Sequence, residues 1–173
     1  DITTAHSQGQ ASFVIRYTDT RGNAGTPVEA ILSGTNVTID YTDPDLEDNF
    51  PTFVSNNNVT YMAKADNVVT VVAKFDEMLD TAPTVSIAGA TDNVTVLPNG
   101  EALEYTATKT LVSGSANDGS YSPAQVAVVI SNIKDRAGNA ISNITNANIS
   151  NYVIFDETAP TLAAVSYTHL TLP

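Results

Sequence analysis

Oxygen-donor side chains are the chemistry that this sequence concentrates. Its 173 residues hold 19 Asp and Glu against 7 Lys and Arg, for a formal net charge of −12. Asp43, Asp45, Glu47 and Asp48 crowd into residues 42–49, and Asp40 lies just before them. Asp76-Glu77 form a neighbouring pair further on, and Asp135 opens a turn-like stretch. Carboxylates brought into contact repel by roughly 1 kcal/mol per pair in water, and by more when partly buried. A cluster of them therefore stays solvated or takes up a cation. A hard cation such as Ca2+ accepts about six to eight oxygen ligands in flexible geometry. The competing reading is that these acids only cap turn amides and keep the chain soluble. The D-x-D-x-D-G spacing of an EF-hand loop is absent.

Other chemistry has little to work with. There is no Cys, so no thiol nucleophile, disulfide or thiolate ligand is available, and the two His fall at positions 6 and 169. No Gly-rich phosphate loop appears, and the abundant Ser and Thr have no recognisable base near them. An enzyme is not expected, and no catalytic or organic-cofactor residue is assigned. A sequence pI of about 4.1 argues against nucleic-acid and anionic-membrane partners. No run of about 18 apolar residues is present, so no membrane insertion is expected of this segment. Five N-x-Ser/Thr sequons occur, at Asn36, Asn58, Asn93, Asn143 and Asn148. In a chain this rich in Asn and Thr they arise readily by composition.

The elements that must position the acids are marked by an internal repeat. Asp19-Thr20-Arg21-Gly22-Asn23-Ala24 returns as Asp135-Arg136-Ala137-Gly138-Asn139-Ala140. The register then holds without a gap, since 138 − 22 = 116 and 160 − 44 = 116. Within it Val37/Val153, Asp40/Asp156, Thr42/Thr158, Pro44/Pro160 and Leu46/Leu162 coincide. Two copies of a domain end imply one complete domain between them and the tail of another before it. The expected divisions are a C-terminal fragment at residues 1–41, a linker at 42–49 stiffened by Pro44, a complete domain at 50–156, and a linker leading to a next repeat at 157–164. With no signal peptide and no initiator Met, the segment is expected to be cut from a longer chain. Residues 165–173 resemble the conceptual translation of a sequencing adapter and are expected to be a non-native tail.

Period-two alternation dominates the complete domain. Val68 to Phe75 is the strongest strand, with Val69, Val71, Ala73 and Phe75 inward. Phe50–Ser55, Thr84–Ala88, Asn93–Leu97, Ala102–Leu111, Val126–Ile133 and Ser150–Phe155 read as further strands, with Val59–Met62 an extension of the first. Asn99-Gly100 marks a hairpin. In the fragment, Phe13, Ile15 and Tyr17 alternate onto one face. No window carries a helical period over three turns. About seven short strands over roughly a hundred residues, one apolar face each, predict an all-β fold, a β-sandwich.

The Asp-Arg-Ala-Gly-Asn-Ala turn, the Lys64-Ala65-Asp66-Asn67 turn, Lys74-Phe75-Asp76-Glu77-Met78-Leu79 and the Asp-Glu-Thr-Ala-Pro linker together resemble bacterial immunoglobulin-like repeats of long surface adhesins and other cell-surface or secreted proteins. The resemblance spans about residues 13 to 164. It implies an immunoglobulin-like sandwich, an extracellular or cell-surface location, and neighbouring repeats of the same chain as partners. The expected role is a structural stalk or spacer. The alternative is a ligand- or carbohydrate-binding accessory module of a secreted protein, ranked second because Trp is absent and most Tyr and Phe fall in strand-core phase.

In such a sandwich the loops at Asp76-Glu77 and Asp135–Asn139 lie at the end where the chain enters. The incoming linker brings its own acids, from Asp40 to Asp48, to the same end. A Ca2+ site is therefore expected at the junction, with Asp43, Asp45, Asp76, Glu77 and Asp135 as its ligands.

Overall fold

A computed structural model describes residues 8–31, 33–91, 95–99, 103–114 and 124–164. His6, His169, Asn93, Gly100 and the segment 165–173 lie outside the described residues.

The architecture is all-β. Strands β1 (Gly9–Gln10) and β2 (Thr38–Ile39) pair with each other in the first part of the chain. The rest holds β3 (Thr52–Ser55), β4 (Met62–Ala63), β5 (Val68–Lys74), β6 (Thr84–Ile87), β7 (Thr95–Asn99), β8 (Glu104–Thr110), β9 (Ala124–Gln125), β10 (Val128–Ser131), β11 (Ile144–Thr145) and β12 (Ile154–Phe155). One antiparallel sheet runs β3-β5-β8-β7. Two smaller sheets run β11-β10-β6 and β4-β12-β9. The run from Ala124 to Ser131 joins these two: β9 pairs with β12, and β10 pairs with β6 and β11. Together they form a second layer opposite the four-stranded sheet, an arrangement consistent with a β-sandwich.

The core follows from side-chain alternation. Val69, Val71 and Ala73 of β5, with Phe75 just beyond it, are buried, and their neighbours in sequence are not. Tyr105 and Ala107 of β8 continue that face. From the other layer, Val128 and Ile130 of β10 and Val153 and Phe155 around β12 fill the gap. Phe75 and Tyr105 meet edge to face, with ring centroids 6.2 Å apart at 68°, a geometry favoured by the ring quadrupoles. Val69, Val71, Ala73 and Phe75 thus point as their alternation predicts, and Asn99 pairs with Glu104 across the predicted hairpin.

Residues 59–62 do not extend β3. The chain turns at 56–61, and β4 joins the opposite layer, parallel to β12. The break is built from side chains: Asn56 accepts from the Val68 amide, and Asn57 accepts from the Val59 amide. Asn151 then stands in as a strand partner for β3. Its amide nitrogen donates to the Phe53 carbonyl and its carbonyl oxygen accepts from the Phe53 amide. The two-residue strands β4, β9 and β11 carry no legible period of their own; their pairing is imposed by the neighbours they meet.

Candidate functional site

The loop after β10 is a tight turn closed on Asp135. Lys134 and Ala140 pair across it. Asp135 Oδ1 accepts from the amides of Gly138, at 2.6 Å, and Asn139, at 2.7 Å, while Oδ2 accepts from Asn139 Nδ2 at 2.8 Å. Gly138 sits at φ +106°, a backbone that an L side chain adopts only with strain. Asp135 is almost wholly buried. Burial alone would raise its carboxyl. The bond from the Asn139 side chain and those from the Gly138, Asn139 and Ala137 amides outweigh that and hold it below the usual 3.8. Asp135 is therefore a fixed, ionised carboxylate, and Oδ2 keeps a lone pair beyond the bond it accepts.

The entering chain lies on this turn. Asn139 Nδ2 also donates to the Asp40 carbonyl at 3.3 Å. The Asp40 side chain caps the Thr42 amide at 3.0 Å. Pro44 is buried, and Leu46 pairs with Phe75 and packs on the core. The Asp45 amide donates to Asp76 Oδ1 at 2.8 Å, and the Asp76 amide donates back to the Asp45 carbonyl at 3.0 Å. The Glu47 amide donates to the Lys74 carbonyl, and Lys74 Nζ meets Glu47 at 2.7 Å. Residues 45–47 are thus laid along the end of β5 and are held at several points.

This docking gathers Asp40, Glu77 and Asp135. One carboxylate oxygen from each lies within 4.8 Å of the other two. Glu77 records the crowding. Its carboxyl is pushed above the usual 4.5, first by burial and then by the charges of Asp135, Asp40, Asp76 and Asp43. Three carboxylates at this spacing suit a hard, oxygen-seeking cation; with Asp135 Oδ1 taken by two amides, they supply at most about five oxygens. The partly buried position strengthens attraction to a cation as much as it strengthens repulsion without one.

Of the five expected ligands, Glu77 and Asp135 lie in this group. Asp43 acts on Glu77 through its charge. Asp76 stands beside Glu77 with Oδ1 committed to the Asp45 amide, and Asp45 Oδ1 accepts from the Leu46 amide. The third member, Asp40, belongs to the entering acids but is not among the five. A sequence signal does single it out. At the 116-residue offset Asp40 returns as Asp156, while Asp43 and Asp45 become Ala159 and Thr161. Asp135 likewise has a counterpart in Asp19.

The aromatic side chains divide. Phe53, Phe75, Phe155 and Tyr105 are core residues, but Tyr17, Tyr41, Tyr61 and Tyr152 are exposed, against the expectation that most Tyr and Phe face the core. No helix among the described residues is long and apolar enough to cross a membrane. No family model, curated protein or solved structure matches the chain.

Proposed function

We propose that the chain is a structural repeat of an extracellular, adhesin-like bacterial stalk, of immunoglobulin-like type, with the junction between repeats stiffened by Ca2+. The observation that carries this reading is the Asp40–Glu77–Asp135 group, which joins the entering segment to two loops of the domain. Its role is mechanical rather than catalytic. Lateral strand pairing and core burial hold each unit, and short docked connections limit bending between units. A divalent cation offsets both the burial and the neighbouring charges that raise Glu77, and it ties Asp40 to the turn that already holds its carbonyl. The all-oxygen donor set favours Ca2+ over Zn2+, which prefers nitrogen and sulfur. Mg2+ demands tighter octahedral geometry and surrenders its waters reluctantly.

The test is thermal unfolding of the chain in millimolar Ca2+, then with chelator, then with Mg2+. A ligand that binds only the folded state at a hundred times its Kd stabilises by about 2.7 kcal/mol. A rise of several degrees with Ca2+, lost in Asp40→Asn and Glu77→Gln, is the expected result. An unchanged midpoint would return these acids to solvated turn groups.

A second reading, a glycan-contacting accessory module, draws on Tyr61 and Tyr152. Both are exposed, and the Ile154 amide donates to the Tyr61 carbonyl, so they lie just ahead of the paired strands β4 and β12. Aromatic faces of this kind suit sugar rings. Binding on a glycan array that disappears in Tyr61→Ala would favour it, and a blank array would remove it.

A further inference from the structure

Residues 9–42 and 124–158 share one bonding pattern. Asp19 and Asn23 exchange the bonds that Asp135 and Asn139 exchange. The Asn23 amide donates to Asp19 Oδ1 at 2.9 Å, and Asn23 Nδ2 donates to Oδ2 at 2.8 Å. Thr18 pairs with Ala24 as Lys134 pairs with Ala140. The Gly25 amide donates to the Tyr17 carbonyl as that of Ile141 does to Ile133. Gln10 pairs with Thr38 as Gln125 pairs with Ile154, and Ile15 with Val28 as Ile130 with Ile144. Asp40 caps the Thr42 amide as Asp156 caps that of Thr158. The offset is 116 from Tyr17 onward and 115 for residues 9–15. The difference is one residue between Ile130 and Ile133, where Asn132 takes φ +58°.

The two differ in what covers them. Ile130 and Val153 are both 0% exposed; their counterparts Ile15 and Val37 are 55% and 57% exposed. Tyr17 and Val28 are open too, where Ile133 and Ile144 are buried. Two features of the domain close the second copy. β6 adds to the free edge of β10, and the β3-β5-β8-β7 sheet lies over the apolar face. Among the described residues, no strand takes β6's place beside residues 11–15. A hollow of about 340 Å³ borders this copy, lined by polar Gln10, Glu29 and Asn36 as well as Phe13, Ala30 and Ile31.

We infer that the apolar face of residues 9–41 is a docking surface for a half-sandwich of the kind that residues 52–111 form, supplied in the same polypeptide ahead of Gly9. This deepens the repeat reading above and rests on it. The partner must bring both an edge strand in the position of β6 and an apolar sheet in the position of β5 and β8. The same face of a second copy offers an apolar surface but no such edge strand. A second copy's own residues 52–111 are already covered by its residues 124–155. Only a further half-sandwich meets both requirements.

The test adds a copy of residues 50–123 directly ahead of Gly9, retaining residues 9–173, and measures amide hydrogen exchange at Ile15 and Val28. Docking slows exchange at both by about a hundredfold or more, towards the protection of Ile130 and Ile144. Val69→Asp with Val71→Asp in the added copy restores the original rates. Unchanged rates at Ile15 and Val28 overturn the proposal, with the protection of Ile130 serving as the internal control for folding. Phe13→Trp in the unaltered chain gives an independent reading that needs no added segment. The indole is expected to be open to acrylamide quenching; a shielded indole in a chain that sediments as a dimer assigns the face to a second copy and also overturns the proposal. The Ca2+ titration reads the Asp40 junction alone, so the two proposals fail separately.

Discussion

Asn139 reaches 99 residues back along the chain to bond the Asp40 carbonyl, while the same side-chain nitrogen holds Asp135 Oδ2. One amide therefore closes a local turn and fastens the entering segment to it. Asn23 makes the first of these contacts in the earlier copy, bonding Asp19 Oδ2, on an exposed turn. Asn139→Ala is expected to lower the unfolding free energy by about 1–3 kcal/mol, because it strips a bond from a buried charged acceptor. Asn23→Ala is expected to change it by less than about 0.5 kcal/mol. Urea unfolding of the two variants compares them directly. Equal losses would mean that the docked turn is no more constrained than the free one.

The pH dependence of stability follows from two carboxyls shifted in opposite directions. Glu77 is raised above 4.5 in the folded chain, so that chain keeps a proton which the unfolded chain releases. Stability falls as pH rises through that window. Asp135 is depressed below 3.8, so the stability it supplies is present above that value and is lost as pH falls through its folded value. For these two groups the optimum without metal lies between 3.8 and 4.5. Melting midpoints measured with chelator from acid to neutral pH are expected to decline on both sides. Glu77→Gln removes only the neutral-side decline, and so does Ca2+ if the proposed site binds it. A neutral-side decline that persists in Glu77→Gln would assign it to other groups.

Phe75 links the core to the site. It is fully buried, stacks edge to face on Tyr105, pairs with Leu46 and immediately precedes Asp76-Glu77. Phe75→Ala is expected to cost about 3–5 kcal/mol through lost burial and a residual cavity. By contrast, Lys74→Met removes an ion pair between half-exposed side chains and is expected to cost under about 1 kcal/mol. Denaturant titration separates the two, and a larger loss for Lys74→Met would show that the charge pair, not Leu46 and Phe75, secures the segment.

The parts of this molecule legible in its sequence are those where one local rule decides the outcome. The alternation of β5 places Val69, Val71, Ala73 and Phe75 because a strand has only two faces. The Asp135 turn is legible because Gly138 and an Asx side chain leave few alternatives. Which linker acid meets Glu77 is a different kind of question. The Leu46–Phe75 pairing turns the Asp45 backbone onto Asp76, and the reach of Asn139 brings in Asp40. Both are contacts between residues far apart in sequence, and charge density within residues 42–49 carries no trace of them. The repeat did carry one: of the linker acids Asp40, Asp43 and Asp45, only Asp40 recurs at the 116-residue offset.

Gly22 and Gly138 allow the two copies of the turn to be compared by one substitution. They sit at φ +91° and +106°, so Ala is strained at either. At Gly138 the nearest atom to an added Cβ is Lys134 Cε at 3.7 Å, an ordinary contact, and at Gly22 nothing lies within 4 Å. The penalty is therefore backbone strain in both cases, of about 1–3 kcal/mol. What differs is where that strain is felt. Gly138→Ala acts on a turn that closes on buried Asp135, and it is expected to lower the midpoint of the main unfolding transition by several degrees. Gly22→Ala acts on a hairpin whose apolar face is open, and the strain is relieved by local opening before the domain unfolds. The main transition should then stay in place while exchange at the Asn23 amide accelerates. Equal shifts of the main transition would show that residues 9–41 unfold together with the domain rather than ahead of it.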